Sequence, residues 1–348
     1  MRWIKIGTGA VLMAFLLIAP HILGPFYLRV VTEILIWGVL AMAINILVGY
    51  TGLAPFGQAG IFGTAAYVVG YMVVKADLTQ WYLTVPAGLL GATLISVVFG
   101  AIAIRTTGLY FLMITLAEGM IVWGMAYRWA AVTGAENGLR GIHRPDFIGQ
   151  FSVYYYVVLA VVVLTTLVMY RVVNSPFGLT LQGIREGERR MQALGYNVPL
   201  HKFLAFVLAG FFSGVAGVLY VYYNNFVSPA AVDFSRSAEE LLMVILGGPG
   251  TFAGPIIGSA IITFVRHQVS LFTDRWLMIL GAIYVVVILV APGGLVRGAW
   301  QLADWVRERR APTRVPEAVP QREATQKEAV HELSAGTVSE ERSTLRNV

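Results

Sequence analysis

Glu118 lies in the middle of an apolar run, TTGLYFLMITLAEGMIV, with no basic residue within a helical turn on either side. A carboxylate in such a setting must face a cavity or a partner, which makes it a candidate binding group for an ammonium or a proton. A glutamate bonded between helices to fix their packing is the structural alternative. Glu239 and Glu240 open a second, shorter apolar stretch; adjacent helical positions point about 100° apart, so only one of the two is expected to face a bundle. Glu33 begins a third, where an interfacial position is expected. The histidines, His21, His143, His201, His267 and His331, lie far apart with no acid at ligand spacing, so metal hydrolysis finds no support. No cysteine is present, which closes disulfide, thiolate and Cys-based metal chemistry. No Gly-rich loop ends in Gly-Lys-Ser or Gly-Lys-Thr, so this chain lacks the usual ATP phosphate cradle. An intramembrane enzyme would need a nucleophile paired with a base, and none is apparent.

The elements that must position these acids are membrane spans. Of 348 residues, 57% are hydrophobic and 13% charged, with a mean hydropathy of +0.71. That composition marks an integral membrane protein. Apolar stretches fall at 6–23, 30–49, 59–74, 83–104, 109–127 and 152–170, then at 203–223, 237–248, 254–270 and 275–291. The expected fold is an all-α polytopic membrane bundle of about ten transmembrane helices. Residues 1–296 form its transmembrane part. The tail, 297–348, mixes both charge signs around Pro312, Pro316 and Pro320 and is expected to be cytoplasmic and largely disordered.

Arg2 and Lys5 precede an apolar run that imitates a signal peptide, but Pro20 to Gly24 offer no small-x-small cleavage site, so a retained first span is expected. Arg171, Arg185, Arg189, Arg190 and Lys202 place the 171–200 loop on the cytoplasmic side, together with both termini. Arg128, Arg140 and Arg144 in an outer loop weigh against that orientation. The net charge of +6 is scattered, with no basic stripe or aromatic stacking platform, so nucleic acid is not an expected partner.

Two segments interrupt the helices: GYTGLAPFGQAG at 49–60 and GGPGTFAGP at 247–255. Gly and Pro at that density cannot continue a helix. Irregular backbone at membrane depth persists only where protein buries it or where it lines a watery cavity. Gly52, Phe56, Gln58, Gly248 and Gly250, with Glu118 and Glu239, are therefore candidates for the lining of a translocation path. Two tight cytoplasmic turns remain the plainer alternative. Gly210, Gly214 and Gly217, like Gly254 and Gly258, are spaced as packing seams between helices.

The most informative polar segment is SPFGLTLQGIREGERRMQALGYNVP, 175–199. Ser175 and Pro176 read as an N-cap and first helical position, and Gly195 as a C-terminal glycine. Phe177, Leu181, Ile184, Met191 and Leu194 fall on one side and Arg185, Glu186, Arg189 and Arg190 on another, which predicts one amphipathic helix. Such a helix either lies on lipid headgroups or docks into a partner.

This segment resembles the coupling loop of ABC-importer permeases. Further pieces extend the resemblance: NILVGYTGLAPFGQAGIFGTAAY (45–67), TTGLYFLMITLAEGMIV (106–122), TGAENGLRGI (133–142), SPFGLTLQGIRE (175–186) and FVSPAAVDFSRSAEELLMVILGGPGTFAGPIIGSA (226–260). In this order they are similar to branched-chain amino acid ABC transporter permeases of the LivM type. The resemblance implies that Ile184, Glu186, Glu188, Arg189 and Gly195 meet an ATPase subunit. It also implies a homologous permease chain, two ABC ATPases and an extracytoplasmic substrate-binding protein as partners, in a bacterial inner membrane. ATP and Mg would sit on the ATPases, and no cofactor on this chain. Two departures stand out: Arg189, Arg190 and Met191 replace small residues ahead of the loop glycine, and TLAEGM replaces TLAFGE or TLAFGQ, which moves the acid to another helix face. The substrate stays open among branched-chain amino acids, other amino acids, urea and short amides. A proton-coupled secondary transporter using Glu118 is the rival reading.

Overall fold

The computed structural model describes residues 13–145 and 148–273, with scattered positions between 278 and 298. These belong to one unit, Met1–Ala299. The expected span at 275–291, the start of the one at 6–23 and the tail fall mostly or wholly outside the described residues.

After a short helix α1 (Met13–Ile22), α2 (Pro25–Asn45) runs through the middle of the unit and continues as a π-turn, Ile46–Thr51. Around it come α3 (Gln58–Val74), α4 (Trp81–Ala103), α5 (Leu109–Arg128), the single turn α6 (Ala130–Thr133) and α7 (Phe151–Val173). The polar segment forms α8 (Pro176–Glu186) and α9 (Glu188–Ala193), followed by α10 (Val198–Asn224), α11 (Phe234–Gly247) and α12 (Gly254–Val269).

Burial sorts the helices by role. A helix that is apolar on all sides belongs inside, and α2 is almost wholly buried, packed by α7, α10, α11 and α12. By contrast α4, α5 and α7 are about one-third buried, with the rest of their apolar surface turned outward, as lipid-facing helices are. The chain is an all-α membrane bundle. Among the described residues, five helices are long and apolar enough to cross a bilayer: α2 with its π-turn, α4, α5, α7 and α10. The stretches expected to span at 59–74, 237–248 and 254–270 form helices of 17, 14 and 16 residues. They are shorter than the roughly 20 residues of a typical crossing, because the Gly/Pro segments cut each of them at one end.

Small residues make the seams. A Cβ on Gly214 would stand 2.6 Å from Ala92 Cβ, and one on Gly217 would stand 2.1 Å from the Phe62 carbonyl oxygen, so α10 lies tight against α4 and α3. A two-residue antiparallel ribbon, Leu139–Arg140 with Phe226–Val227, ties the connection after α6 to the end of α10. Next to it Arg144 donates from Nε to Tyr222 O at 2.7 Å and from Nη2 to Tyr223 O at 2.9 Å. It thereby satisfies carbonyls that the end of α10 leaves open.

The segment expected to be one amphipathic helix is two. Ser175 caps α8 as predicted, accepting from Gly178 N, with Pro176 in the first helical position. At Gly187 the backbone turns extended, with φ −176° and ψ 86°. That single extended residue ends α8, and α9 begins at Glu188.

Candidate functional site

The two broken segments meet each other. Asn45, the last residue of α2, donates from Nδ2 to Thr251 O and accepts Gly250 N–H at Oδ1, both at 2.9 Å. A Cβ on Gly49 would fall 2.3 Å from Gly250 N, so the π-turn and the α11–α12 connection touch backbone to backbone, which only glycine permits. Gly250 itself sits at φ +78°, and Gly248 at φ +115°, where it accepts a hydrogen bond from Thr251 Oγ1. Gly52 leaves the π-turn at φ +77°. The segments form one junction within the bundle rather than two separate turns.

The α8 helix reaches that junction. Arg185 donates from Nη1 to the Gly49 carbonyl oxygen, and its aliphatic stem covers Gly52. Leu181 and Ile184 are buried on the same helix. Ile184 therefore anchors α8 to the bundle instead of facing outward. Glu188 has an internal partner as well: it pairs with the buried Lys202 Nζ at 2.7 Å, which pins α9 to the start of α10. The exposed residues of the segment include Glu186, Arg189, Arg190, Gly195 and the 71%-exposed Leu194. Beside them lies an open groove of about 480 Å³ lined by Phe177, Leu179, Met191, Tyr196 and His201. Asn45, Arg185 and Lys202 had no site role in the sequence reading. An asparagine placed four residues before a glycine in a broken segment was the one available signal.

Phe56 and Gln58 stand where α3 begins, and Glu118 lies on the buried face of α5, next to Gly119, which packs there. Phe56 N donates to Thr115 Oγ1 at 3.0 Å, and its ring stacks on Phe234 at 5.2 Å between centroids. Gln58 is buried and accepts from Ser213 Oγ at 3.2 Å, while its Nε2 has no partner among the described residues. Glu118 lies on the buried stripe of α5 with Phe111, Thr115, Gly119, Val122 and Ala126. Neither of its oxygens has a hydrogen-bond partner among the described residues.

Glu239 stands apart from these residues, within a charged network that joins α2, α11 and α12. It accepts from Arg236 Nη1 at 2.6 Å and from Arg266 Nη1 at 3.2 Å. Arg266 also pairs with Glu33, which in turn bonds Trp37 Nε1 at 3.1 Å and His267 Nε2 at 2.7 Å. Glu33 is thus a buried member of this network. The expectation that only one of Glu239 and Glu240 faces the bundle also fails: both are buried, because α2, α3 and α12 enclose α11 on several sides. Counted along α2, Glu33 is about 18 Å from Asn45, so the network lies toward the end of the bundle remote from α8.

Residues 26–290 match the family described as the permease component of branched-chain amino acid transport systems. The chain belongs to this family. The high-affinity branched-chain amino acid transport system permease protein LivM of Salmonella typhimurium is 28% identical over 315 residues, covering 82% of this chain and 74% of the relative. LivM of Escherichia coli is 27% identical over the same shares. The autoinducer 2 import system permease LsrC of Salmonella paratyphi B is 20% identical, covering 74% of this chain and 76% of its own. No solved structure matches. As a family member the chain is a multi-pass membrane transport component and not an enzyme.

Proposed function

We propose that this chain is the permease subunit of an ATP-driven importer for branched-chain or related amino acids. It would form the translocation path with a homologous permease chain in a bacterial inner membrane. A substrate-binding protein delivers the solute from outside, and two ABC ATPases, carrying ATP and Mg, drive the cycle. The exposed residues of α8 and α9, Glu186, Arg189 and Leu194, together with Gly195, form the cytoplasmic docking surface for an ATPase. The observation that carries this reading is the Arg185 contact to Gly49. Through it, displacement of a docked α8 reaches the junction of the two broken segments directly. Gly52, Phe56, Gln58, Glu118, Gly248 and Gly250 lie at or near those segments and line the path when it opens. Rigid-body rearrangement about a packed junction is the expected movement.

The cysteine-free sequence makes the test clean. A single cysteine at Arg189 or Leu194 is expected to crosslink to the co-expressed ATPase subunit and to be protected by it from a cytoplasmic thiol reagent. Labelling of both positions by an impermeant reagent from outside the cell, with no ATPase adduct, would overturn the reading. Substrate class rests on the LivM relatives, and the LsrC relative indicates that similar permeases serve other solutes.

One observation favours a second reading. The buried and unpartnered carboxylate of Glu118 suits a proton-coupled carrier that works without ATPases. Uptake by the chain alone in proteoliposomes under an imposed pH gradient would establish it.

A further inference from the structure

Two arginines stand together at the end of the bundle remote from α8. Arg29, on α2 and about 24 Å along it from Asn45, and Arg144, in the connection after α6, both lie over the ring of Phe151, at 5.7 and 5.3 Å from its centroid. They are within electrostatic reach of each other, so each raises the cost of the other's charge. Among the described residues no carboxylate pairs with either guanidinium. Glu33, one turn along α2 from Arg29, is taken by Arg266 and His267. Arg144 spends Nε and Nη2 on the last carbonyls of α10, and its Nη1 has no partner among the described residues. Arg29 is exposed. Neighbouring arginines are ordinary where water screens them, so the surroundings of the pair decide what it does.

An open groove of about 470 Å³ adjoins them, lined by α4, α7 and α10. Pro145, which follows Arg144, belongs to its lining, as does Tyr154, whose ring centroid is 4.5 Å from the Arg144 guanidinium. The arginines therefore stand at its mouth. From Tyr154 to Val168 the lining runs about 21 Å along α7 at 1.5 Å per residue, more than the ~15 Å depth of one leaflet of hydrocarbon. Both tyrosines of the lining direct their hydroxyls to protein: Tyr154 donates to the Leu219 carbonyl oxygen, and Tyr222 shares a hydrogen bond with Thr84 Oγ1 at 2.8 Å. That leaves the groove almost wholly apolar. A polar solute finds no partner in it, whereas an acyl chain needs none. Its walls are accessible, with Leu164 63% and Val168 44% exposed. Trp81, half exposed at the start of α4, lines the same end as Tyr222, the placement aromatic residues take at headgroup level.

We propose that Arg29 and Arg144 bind the phosphate of an anionic phospholipid whose acyl chain lies in the groove lined by α4, α7 and α10. The planar forks of arginine match phosphate oxygens, and two cations without a carboxylate favour a headgroup of net negative charge over a zwitterionic one. An apolar groove alone would accept any chain, and arginines alone would accept any anion. Their contiguity selects a molecule that carries both. The lipid belongs to the leaflet remote from α8, and it links the central α2, through Arg29, to the outward-facing α4 and α7. The site goes beyond the importer reading and does not depend on it.

The test uses the purified full-length chain in neutral detergent, stripped of native lipid. Phosphatidylglycerol or phosphatidylcholine with the same acyl chains is added, and bound lipid is counted by native mass spectrometry. One phosphatidylglycerol is expected to bind about tenfold more tightly than phosphatidylcholine, and Arg29→Gln to weaken it about tenfold, the scale of one charge-assisted hydrogen bond. Val161→Trp fills the groove about 10 Å along α7 from Tyr154 and is expected to weaken binding as far. Exposed Arg105→Gln, beyond the other end of α4, is the control and keeps parental binding. Inorganic phosphate is expected not to displace the lipid. Equal affinity for the two lipids, binding within about twofold of the parent in Arg29→Gln, or displacement by inorganic phosphate overturns the proposal. Parental binding in Val161→Trp takes the chain out of the groove and overturns it as well. Should that bulky variant fail to fold, Arg29→Gln, at an exposed position, carries the test alone. Loss of the lipid when the chain is purified together with a second permease chain would give the groove to that chain and likewise overturn the proposal.

Discussion

Arg185 on α8 donates a hydrogen bond to the carbonyl oxygen of Gly49, 136 positions earlier in the chain. The acceptor belongs to the π-turn that ends α2, and the same turn abuts Gly250 through Gly49 and is tied to Gly250 and Thr251 through Asn45. Three segments far apart in sequence thus share one small volume. Close-packed contacts of this kind switch between discrete arrangements rather than deform continuously, which suits a part that must convert movement of a surface helix into movement of the spans.

Arg185→Ala removes that contact while leaving the buried Leu181 and Ile184 anchors in place. The assembled transporter is expected to keep hydrolysing ATP while solute moved per ATP falls roughly tenfold, the scale of one charge-assisted hydrogen bond. Arg185→Lys should recover part of the coupling, because it keeps the charge but not the planar fork. The measurement is paired uptake and phosphate release; equal losses in both would show that Arg185 does not transmit movement.

Gly49→Ala should damage the junction itself. The added methyl would stand 2.1 Å from Asn45 Oδ1 and 2.3 Å from Gly250 N, so the Asn45–Gly250 hydrogen bond must give way. Overpacking of this kind costs about 1–3 kcal/mol, visible as a lowered melting temperature in detergent. Gly195→Ala is the contrast: it meets open space and carries only the strain of φ +87°, about 1 kcal/mol. A Gly49→Ala protein as stable as the parent would contradict the close approach.

The Glu188–Lys202 pair is asymmetric, with side chains 37% and 4% exposed. Removing Glu188 strands a buried ammonium, whereas removing Lys202 leaves a carboxylate that water can reach. Glu188→Ala is therefore expected to destabilise by about 1–3 kcal/mol after allowance for its exposure, and Lys202→Met by less than about 1 kcal/mol. Thermal unfolding of the two variants checks the order. Loss of transport in Glu188→Ala would thus mix lost docking with lost anchoring, which makes Arg189 and Leu194 the better probes of the docking surface.

Local signals were legible in the sequence and long-range pairings were not. Ser175, Pro176 and Gly195 announced the polar helix, and the Gly/Pro clusters announced the broken segments. The break at Gly187 stayed hidden because Met191 and Leu194 continue the apolar rhythm across it. Runs of 14 to 17 apolar residues are hard to tell from a full crossing by composition, because the breaks that bound them act through backbone geometry. Asn45 to Gly250 and Glu33 to Arg266 lie 205 and 233 positions apart. No periodicity links such pairs, so the sequence carries no signal for the partners of Glu33 and Asn45. The depth of Glu118 was legible for the opposite reason: an acid inside an apolar run is a local signal.

Glu118→Gln separates the two transport readings. Glutamine fills nearly the same volume and hydrogen-bonds but cannot carry a proton through a cycle. If ATP drives uptake, the variant in the complete transporter is expected to import solute within about twofold of the parent, and the chain alone to show no uptake under a pH gradient with either residue. Because neither carboxylate oxygen has a partner among the described residues, Glu118→Leu should leave the protein at least as stable as the parent, by the asymmetry between lost contacts and relieved desolvation. Gradient-driven uptake by the parent chain alone, abolished in Glu118→Gln, would instead make Glu118 the proton carrier and leave the α8 docking surface without a role in energy supply.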